Sequence, residues 1–414
     1  MKNTFIRLRC GLSLICLLSV VRGATAKLFS GATPLDWSVR MADSEMARRG
    51  DSLAWMPQGK VKWDYTAGLF SLALLKLNAI MPAPRYIEFV NKSIGSFVGQ
   101  HGEIATFKPE EYQLDALNSG RTLLELWHAT TNHEERYLLG CSKLVHQFAD
   151  QPRTFDGGFW HKQRYTNQMW LDGIYMAEPF YVAMAPHLKN PEQAYAEAAR
   201  QINLICHHTY DATTGLFFHA WDASKTQPWA NPVTGCSSNF WGRAIGWYAM
   251  AIVDVLDYFP TGHPDRPQII ATLQRLADGV VRWQDTPSGV WWQVMDQGDR
   301  KGNYLEATAS AMFVYALAKG VNHGYLSRDY EPAIEQGYAG IIKNFLQPAG
   351  EKGWSLTHCC QVAGLGGAPN SGRFRDGSFD YYIGEPVVDN DLKGVGPFIL
   401  AGLEVQALNR SKTP

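Results

Sequence analysis

Apolar residues recur at helical spacing through most of this 414-residue chain, and β-branched alternation is scarce, so the fold has to be built from helices. The spacing predicts twelve of them, over 36–49, 64–80, 84–98, 111–131, 134–149, 167–186, 191–208, 239–259, 265–283, 304–322, 330–346 and 396–409. In the segment 240–259, Trp247, Met250, Ala251, Val253 and Leu256 form an apolar face and Asp254 and Asp257 a polar one, and Pro260 and Gly262 then stop the helix. Val290–Val294 reads as a hairpin arm between helices. Short breaks alternate with long loops rich in Gly, Pro and Trp, over 150–166, 209–238, 284–303 and 347–395. Six helical hairpins with long loops gathered at one end suit an all-α fold, an (α/α)6 barrel. An α-solenoid of helix pairs has the same periodicity, but these pairs lack a repeated signature. No Ser/Gly/Pro linker or charge block divides residues 27–414, which read as one domain.

Residues 1–26 read as a secretory leader. Lys2, Arg7 and Arg9 form a positive start, an apolar run follows from Gly11 to Val21, and Ala24-Thr25-Ala26 has the small-x-small cleavage pattern. The run is too short to span a bilayer and no later stretch is apolar enough, so the mature chain is expected to be exported, to the periplasm or the medium, without stable membrane insertion. Cleavage removes four positive charges and no negative ones, taking the formal net charge from −1 to −5. Cys141, Cys206, Cys236, Cys359 and Cys360 remain, with scattered spacing that fits buried free thiols at least as well as one or two disulfides. His207-His208 and His358-Cys359-Cys360 lack zinc-site spacing, and no metal or other cofactor is expected.

With 38 basic and 39 acidic residues the chain has no global positive field for a nucleic acid. It also lacks the phosphate loops of nucleotide enzymes and the nucleophile elbow of serine hydrolases. Its excess is aromatic, 12% with 14 Trp, and aromatic faces are a common way to hold the flat side of a sugar. The chemistry-bearing candidates are carboxylates within aromatic segments. Asp172 lies in the stretch from Tyr165 to Phe180, two residues after Trp170 and sharing a helical face with Met176. Desolvation there favours the proton-bearing carboxyl that a general acid needs; a helix cap or buried ion pair would explain the residue equally well. Asp115 occupies a similar early place in its helix, and if alternate helices form an inner ring the two acids face one cavity; a solvated Asp115 paired with Arg121 is the simpler alternative. Arg243 and Trp247, four apart, could offer a fork for a sugar carboxylate and a plane for its ring, or be a surface pair and core filling. His219 alone fits a structural histidine, and Trp283, Trp291 and Trp292 fit either stacking surface or core.

Gln168-Met-Trp-Leu-Asp-Gly-Ile-Tyr-Met-Ala-Glu-Pro-Phe180, Phe240-Trp-Gly-Arg-Ala-Ile-Gly-Trp247, Tyr304-Leu-Glu-Ala-Thr-Ala-Ser-Ala-Met312 and Asn390-Asp-Leu-Lys-Gly-Val-Gly-Pro-Phe398 together resemble glycoside hydrolase family 105. These are unsaturated rhamnogalacturonyl hydrolases, related to the unsaturated glucuronyl hydrolases of family 88, and the resemblance runs from about Asp64 to Leu403. It implies an (α/α)6 barrel and a metal-free glycosidase acting on oligosaccharides made by polysaccharide lyases, whose terminal uronic acid carries a C4=C5 double bond. It implies that Asp172 protonates C4 and directs water to C5, so that the hemiketal opens and the glycosidic bond is lost. It implies that Asp115 is a second essential acid and that Trp170, His161, His219, Arg243, Trp247 and Thr66 surround the unsaturated ring. Ile245 stands where the family's pattern leads one to expect Asn. The expected partner is an unsaturated galacturonyl oligosaccharide of rhamnogalacturonan, bound by a monomer. Unsaturated glucuronyl ends of ulvan, arabinogalactan or glycosaminoglycans are the alternative substrate, and a non-catalytic glycan-binding protein the alternative class.

Overall fold

The computed structural model of the protein describes residues 27–50, 62–130, 134–367, 372 and 374–410; the expected leader lies outside them. Fifteen α-helices occur among the described residues: α1 Pro34–Arg49, α2 Tyr65–Ile80, α3 Pro84–Ser93, α4 Asp115–Asn118, α5 Gly120–Ala129, α6 Glu135–Val145, α7 Gln147–Asp150, α8 Leu171–Met184, α9 Pro191–Thr209, α10 Gly242–Leu256, α11 Arg266–Arg282, α12 Ala307–Asn322, α13 Glu331–Phe345, α14 Phe379–Ile383 and α15 Leu392–Arg410. Local signals set many of their starts. Thr33 and Asp36 form a capping box, Asp64 accepts from the Thr66 N–H, Glu306 accepts from the Ala309 N–H, and proline opens α1, α3 and α9.

Six helices form an inner ring. α2 packs on α5, α5 on α8, α8 on α10, α10 on α12, α12 on α15, and α15 returns to α2. That return closes the ring and separates the fold from an open solenoid. α1, α3, α6, α9, α11 and α13 lie outside it, against α15, α2, α5, α8, α10 and α12 respectively. Every residue of α10 is buried, as is every residue of α12 but the last. The polar face expected on 240–259 is split: Asp257, just past the end of α10, is exposed, whereas Asp254 lies inside the wall. Asp254 is wholly buried and held by Arg121 Nη1 at 2.9 Å, Lys319 Nζ at 2.7 Å and the Tyr315 hydroxyl at 2.6 Å. Among the described residues no helix is long and apolar enough to cross a membrane.

The predicted helices match closely, and the departures have backbone causes. The span 111–131 breaks at Ser119 between α4 and α5, and 134–149 breaks at His146. Asn167 adopts the left-handed region (φ 58°), after which Gln168–Trp170 runs extended as β1 against β2, Ala220–Asp222. Helix α8 therefore begins at Leu171, just before Asp172. Val290–Val294 holds no full strand, but 291–293 pairs antiparallel with 304–306 as a short hairpin arm: the Gln293 N–H donates to the Tyr304 carbonyl at 2.8 Å and the Glu306 N–H to the Trp291 carbonyl at 2.9 Å, while Val294 bridges Trp241. The remaining strands are two- or three-residue ribbons: β3 Leu346–Pro348 with β4 Trp354–Leu356, β5 Cys359–Cys360 with β8 Val387–Val388, and β6 Gly366–Gly367 with β7 Phe374–Arg375. All five cysteines among the described residues are buried and unpaired, and burial pushes their thiols up.

Close approach within the ring constrains small residues. A Cβ on Gly68 would lie 2.1 Å from Ser119 Oγ and 2.9 Å from its Cα, which cannot be relieved by a rotamer change. Gly68→Ala should cost about 2 kcal/mol in chemical denaturation. Gly262→Ala, where nothing lies within 4 Å, should stay within about 0.5 kcal/mol of the parent. Equal denaturation midpoints for the two variants would contradict this packing.

Candidate active site

The N-terminal ends of α2, α4, α8 and α15 open on one cavity of about 680 Å³. Backbone ties place its acids. Asp115 begins α4, where the Leu114 N–H donates to the His161 carbonyl at 3.1 Å and the Gln163 N–H to the Glu111 carbonyl at 3.0 Å. The loop 161–163 is thereby zipped along the segment before Asp115. Trp63 Nε1 donates to the Ala116 carbonyl and the Ser119 hydroxyl to the Asp64 carbonyl, which brings the start of α2 to the same place. Asp172 sits in the first turn of α8, and the Leu171 N–H donates to the His219 carbonyl at 3.1 Å, so the β1–β2 ribbon delivers His219 beside Asp172.

The two acids have different surroundings. Lys162 Nζ lies 2.5 Å from Asp115 Oδ2 and His161 Nε2 lies 3.1 Å from Oδ1. Burial pushes the Asp115 carboxyl up, but Lys162 and His161 outweigh it and hold it far below the usual carboxylate range. Asp115 is thus a fixed anion. Asp172 has neither lysine nor arginine within ion-pair distance among the described residues; its Oδ2 stands 3.3 Å from His219 Nε2, and neither atom has a hydrogen-bond partner. His219 is itself wholly buried, with Nδ1 2.8 Å from the Tyr382 hydroxyl.

Thr66, Asp115, His161, Trp170 and Asp172 all line the cavity. Trp170 is buried, nearly parallel to His161 and Tyr165 with centroids 4.9 and 4.7 Å away. Much of the plane expected to receive a sugar is therefore covered by the protein's own rings. His219 stands behind Asp172. Arg243 and Trp247 do not reach the cavity. The Arg243 guanidinium is buried against Glu306 (3.4 Å) and the Cys360 and Gln361 carbonyls, so the free carboxylate fork expected of it is occupied from within. Trp247 is buried against Tyr175, centroids 4.8 Å apart, with Tyr65 at its edge. Trp291 is likewise core, donating Nε1 to the Val280 carbonyl. Positive charge reaches the cavity through Arg48, Arg49, Lys62, Lys162, Arg164, Arg375 and Lys393 instead. The run His161-Lys162-Gln163-Arg164, in a loop otherwise rich in aromatics, was the available signal for two of these. Among the described residues no three His, Cys, Asp or Glu side chains group as metal ligands.

The family model for Glycosyl Hydrolase Family 88 matches residues 37–409. A solved structure titled as a Clostridium acetobutylicum glycoside hydrolase from family 105 superposes with a TM-score of 0.83 at 39% identity, covering 89% of this chain and 98% of that one. Protein Atu3128 of Agrobacterium fabrum is 38% identical over 239 residues, which is 57% of this chain and all of that protein. The unsaturated rhamnogalacturonyl hydrolase YesR of Bacillus subtilis is 30% identical over 235 residues, 55% of this chain and 62% of that one.

The charge lock on Asp115 can be tested directly. Lys162→Met removes the nearer cation and leaves burial less opposed, so the Asp115 carboxyl should titrate at a higher pH than in the parent. Carboxyl carbon NMR across an acid titration reads this. An unchanged Asp115 resonance in the variant would mean that Lys162 does not hold the charge.

Proposed function

Because this chain belongs to glycosyl hydrolase family 88, and is a glycosidase of the unsaturated uronyl type shared by families 88 and 105, we propose that it removes a 4,5-unsaturated galacturonyl residue from the non-reducing end of rhamnogalacturonan oligosaccharides. One observation carries the assignment of roles: two carboxyl groups share a cavity, one locked as an anion by Lys162 and His161, the other with a histidine as its one basic neighbour within ion-pair distance among the described residues. A group held ionised cannot donate a proton at neutral pH, so Asp172 is the acid and Asp115 the orienting anion.

In this reading Asp172 gives its proton to C4 of the enol ether, and the positive charge develops on C5 and the ring oxygen. Water adds at C5 and returns a proton to the Asp172 carboxylate. The resulting hemiketal opens to a ketone, leaving C1 as a hemiacetal that expels the next sugar. Thr66, His161 and Trp170 line the space for the ring, and His219 backs the acid. Galacturonyl is preferred over glucuronyl on the likeness to the Bacillus subtilis protein named for rhamnogalacturonyl hydrolysis. The reading extends to the whole chain: a leader over 1–26, then one catalytic domain over 27–414, exported and acting as a monomer on fragments that a lyase has released.

The conjugated double bond absorbs in the near ultraviolet and is consumed in the reaction. Lyase-generated rhamnogalacturonan disaccharide should lose that absorbance faster than its glucuronyl counterpart, and Asp172→Asn should slow turnover by about a thousandfold with an unchanged circular dichroism spectrum. Absorbance that persists with every unsaturated uronide would refute the activity. Asp172→Asn at parental rate would refute only the acid.

A further inference from the structure

His219 meets Asp172 through one ring nitrogen and Tyr382 through the other. Nδ1 lies 2.8 Å from the Tyr382 hydroxyl and Nε2 lies 3.3 Å from Asp172 Oδ2. A neutral imidazole carries one ring hydrogen, and the partners of its two nitrogens decide where that hydrogen sits. Tyr382 and His219 are both wholly buried. Among the described residues the Tyr382 hydroxyl has no hydrogen-bond partner besides His219. Burial, with Tyr381 and Asp172 nearby, pushes that phenol well above its usual range, so it keeps its proton. A buried O–H needs an acceptor, and Nδ1 is the one within reach. The Tyr382 O–H therefore donates to Nδ1, which leaves the imidazole hydrogen on Nε2, beside Asp172. As it stands the 3.3 Å contact falls short of a hydrogen bond; catalytic contacts of this kind tighten when substrate binds.

The phenol is fixed from behind. Tyr382 belongs to α14, which Ser378 caps, and its carbonyl accepts from Gln293 Nε2 at 3.0 Å. Gln293 Oε1 in turn accepts from Trp241 Nε1 at 3.1 Å, and the Trp241 and Tyr382 rings lie nearly parallel, centroids 5.8 Å apart. The His219 ring packs on Trp241 at 4.8 Å and makes a T-shaped contact with Trp170 at 5.3 Å. Turning the imidazole end for end would set a ring carbon against the phenol, so its orientation is fixed as well. The two Asp172 oxygens are unequal. The side chain keeps 14% of its surface and almost none of it lies on Oδ2, which leaves Oδ1 facing the cavity.

We propose that Tyr382 is a positioning residue: by donating to Nδ1 it holds the His219 hydrogen on Nε2, and that N–H, donating to Oδ2, confines the acid proton of Asp172 to Oδ1. This rests on the reading of Asp172 as the acid of an unsaturated uronyl hydrolase. With the opposite tautomer, a bare Nε2 would draw the carboxyl proton to Oδ2, inside the wall and away from C4. With this one, the Oδ1–H bond breaks as the C4–H bond forms, and the carboxylate left behind already has a donor at Oδ2. Water then returns its proton to Oδ1, and neither His219 nor Tyr382 changes its own protonation.

The test is nitrogen NMR on the full chain carrying isotopically labelled histidine, with the His219 signals identified by their loss in His219→Gln. Long-range proton–nitrogen correlation distinguishes a ring nitrogen that bears hydrogen from one that does not. His219 should be neutral, with its hydrogen on Nε2 and a bare, hydrogen-bonded Nδ1. Tyr382→Phe keeps the ring against Trp241 and removes the donor, so the Nδ1 signal should move and hydrogen should appear on Nδ1. In the ultraviolet assay the same variant should lose about tenfold in kcat with KM within about twofold of the parent, since the missing bond acts on the acid proton and leaves ring binding alone. A His219 hydrogen on Nδ1 in the parent, alone or as imidazolium, would overturn the positioning role even if Tyr382→Phe failed to fold. So would a folded Tyr382→Phe with parental kcat, or one whose loss lies in KM alone; each leaves the hydrolase reading intact. A parent that turns over no unsaturated uronide would refute that reading and the role given to Tyr382 together, whatever tautomer the spectrum shows.

Discussion

An inner helix of a closed ring has no solvent side, and most of the structure follows from that restriction. Every polar group along its length needs a partner inside the protein, because an unpaired buried charge costs several kcal/mol, about 3–5 when a partner is removed. Asp254 meets the restriction through Arg121, Lys319 and Tyr315, and Arg243 meets it through Glu306 and two carbonyls. At the cavity Asp172 Oδ2 and His219 Nε2 lack partners, and within the wall Ser71 Oγ on α2 and Glu178 Oε2 on α8 lack them too, burial pushing the Glu178 carboxyl well above its usual range.

Much of this was legible in the residues. Apolar periodicity located the twelve long helices within a few positions, because buried helices cannot dispense with it. It also placed Asp115 and Asp172 early in theirs, which was enough to send both to the same end of the ring. Periodicity is blind to which side of the ring wall a side chain takes, and that is where the reading of Arg243 and Trp247 departs from the structure. A residue four positions from another shares its helical face, yet the face can be the inside of the wall. The resemblance to family 105 names these residues, and nothing in their spacing announces that Glu306, 63 residues later, occupies the guanidinium. Lys162, despite the polar run it sits in, and Arg375 were missed for a related reason. They lie in loops, and their role depends on a backbone pairing with 111–114 or on a two-residue ribbon that no local pattern encodes.

Asp115 and Asp172 differ in company more than in chemistry. The zipper between 111–114 and 161–163 delivers a lysine and a histidine to the first, whereas the β1–β2 ribbon delivers only a histidine to the second. Two short backbone pairings thus divide identical side chains into a permanent charge and a carboxyl whose one basic neighbour within ion-pair distance, among the described residues, is an imidazole. The division is carried by loops of the kind that tolerate change, on a ring that tolerates little.

The five buried thiols have a consequence for where such a chain can fold. None is cross-linked, and burial pushes each thiol up, away from the reactive thiolate. The described fold therefore draws no stability from oxidation, and its shape is indifferent to the redox poise around it. A chain that folds in an oxidising compartment keeps these thiols from mispairing only by burying them, so burial has to outrun oxidation.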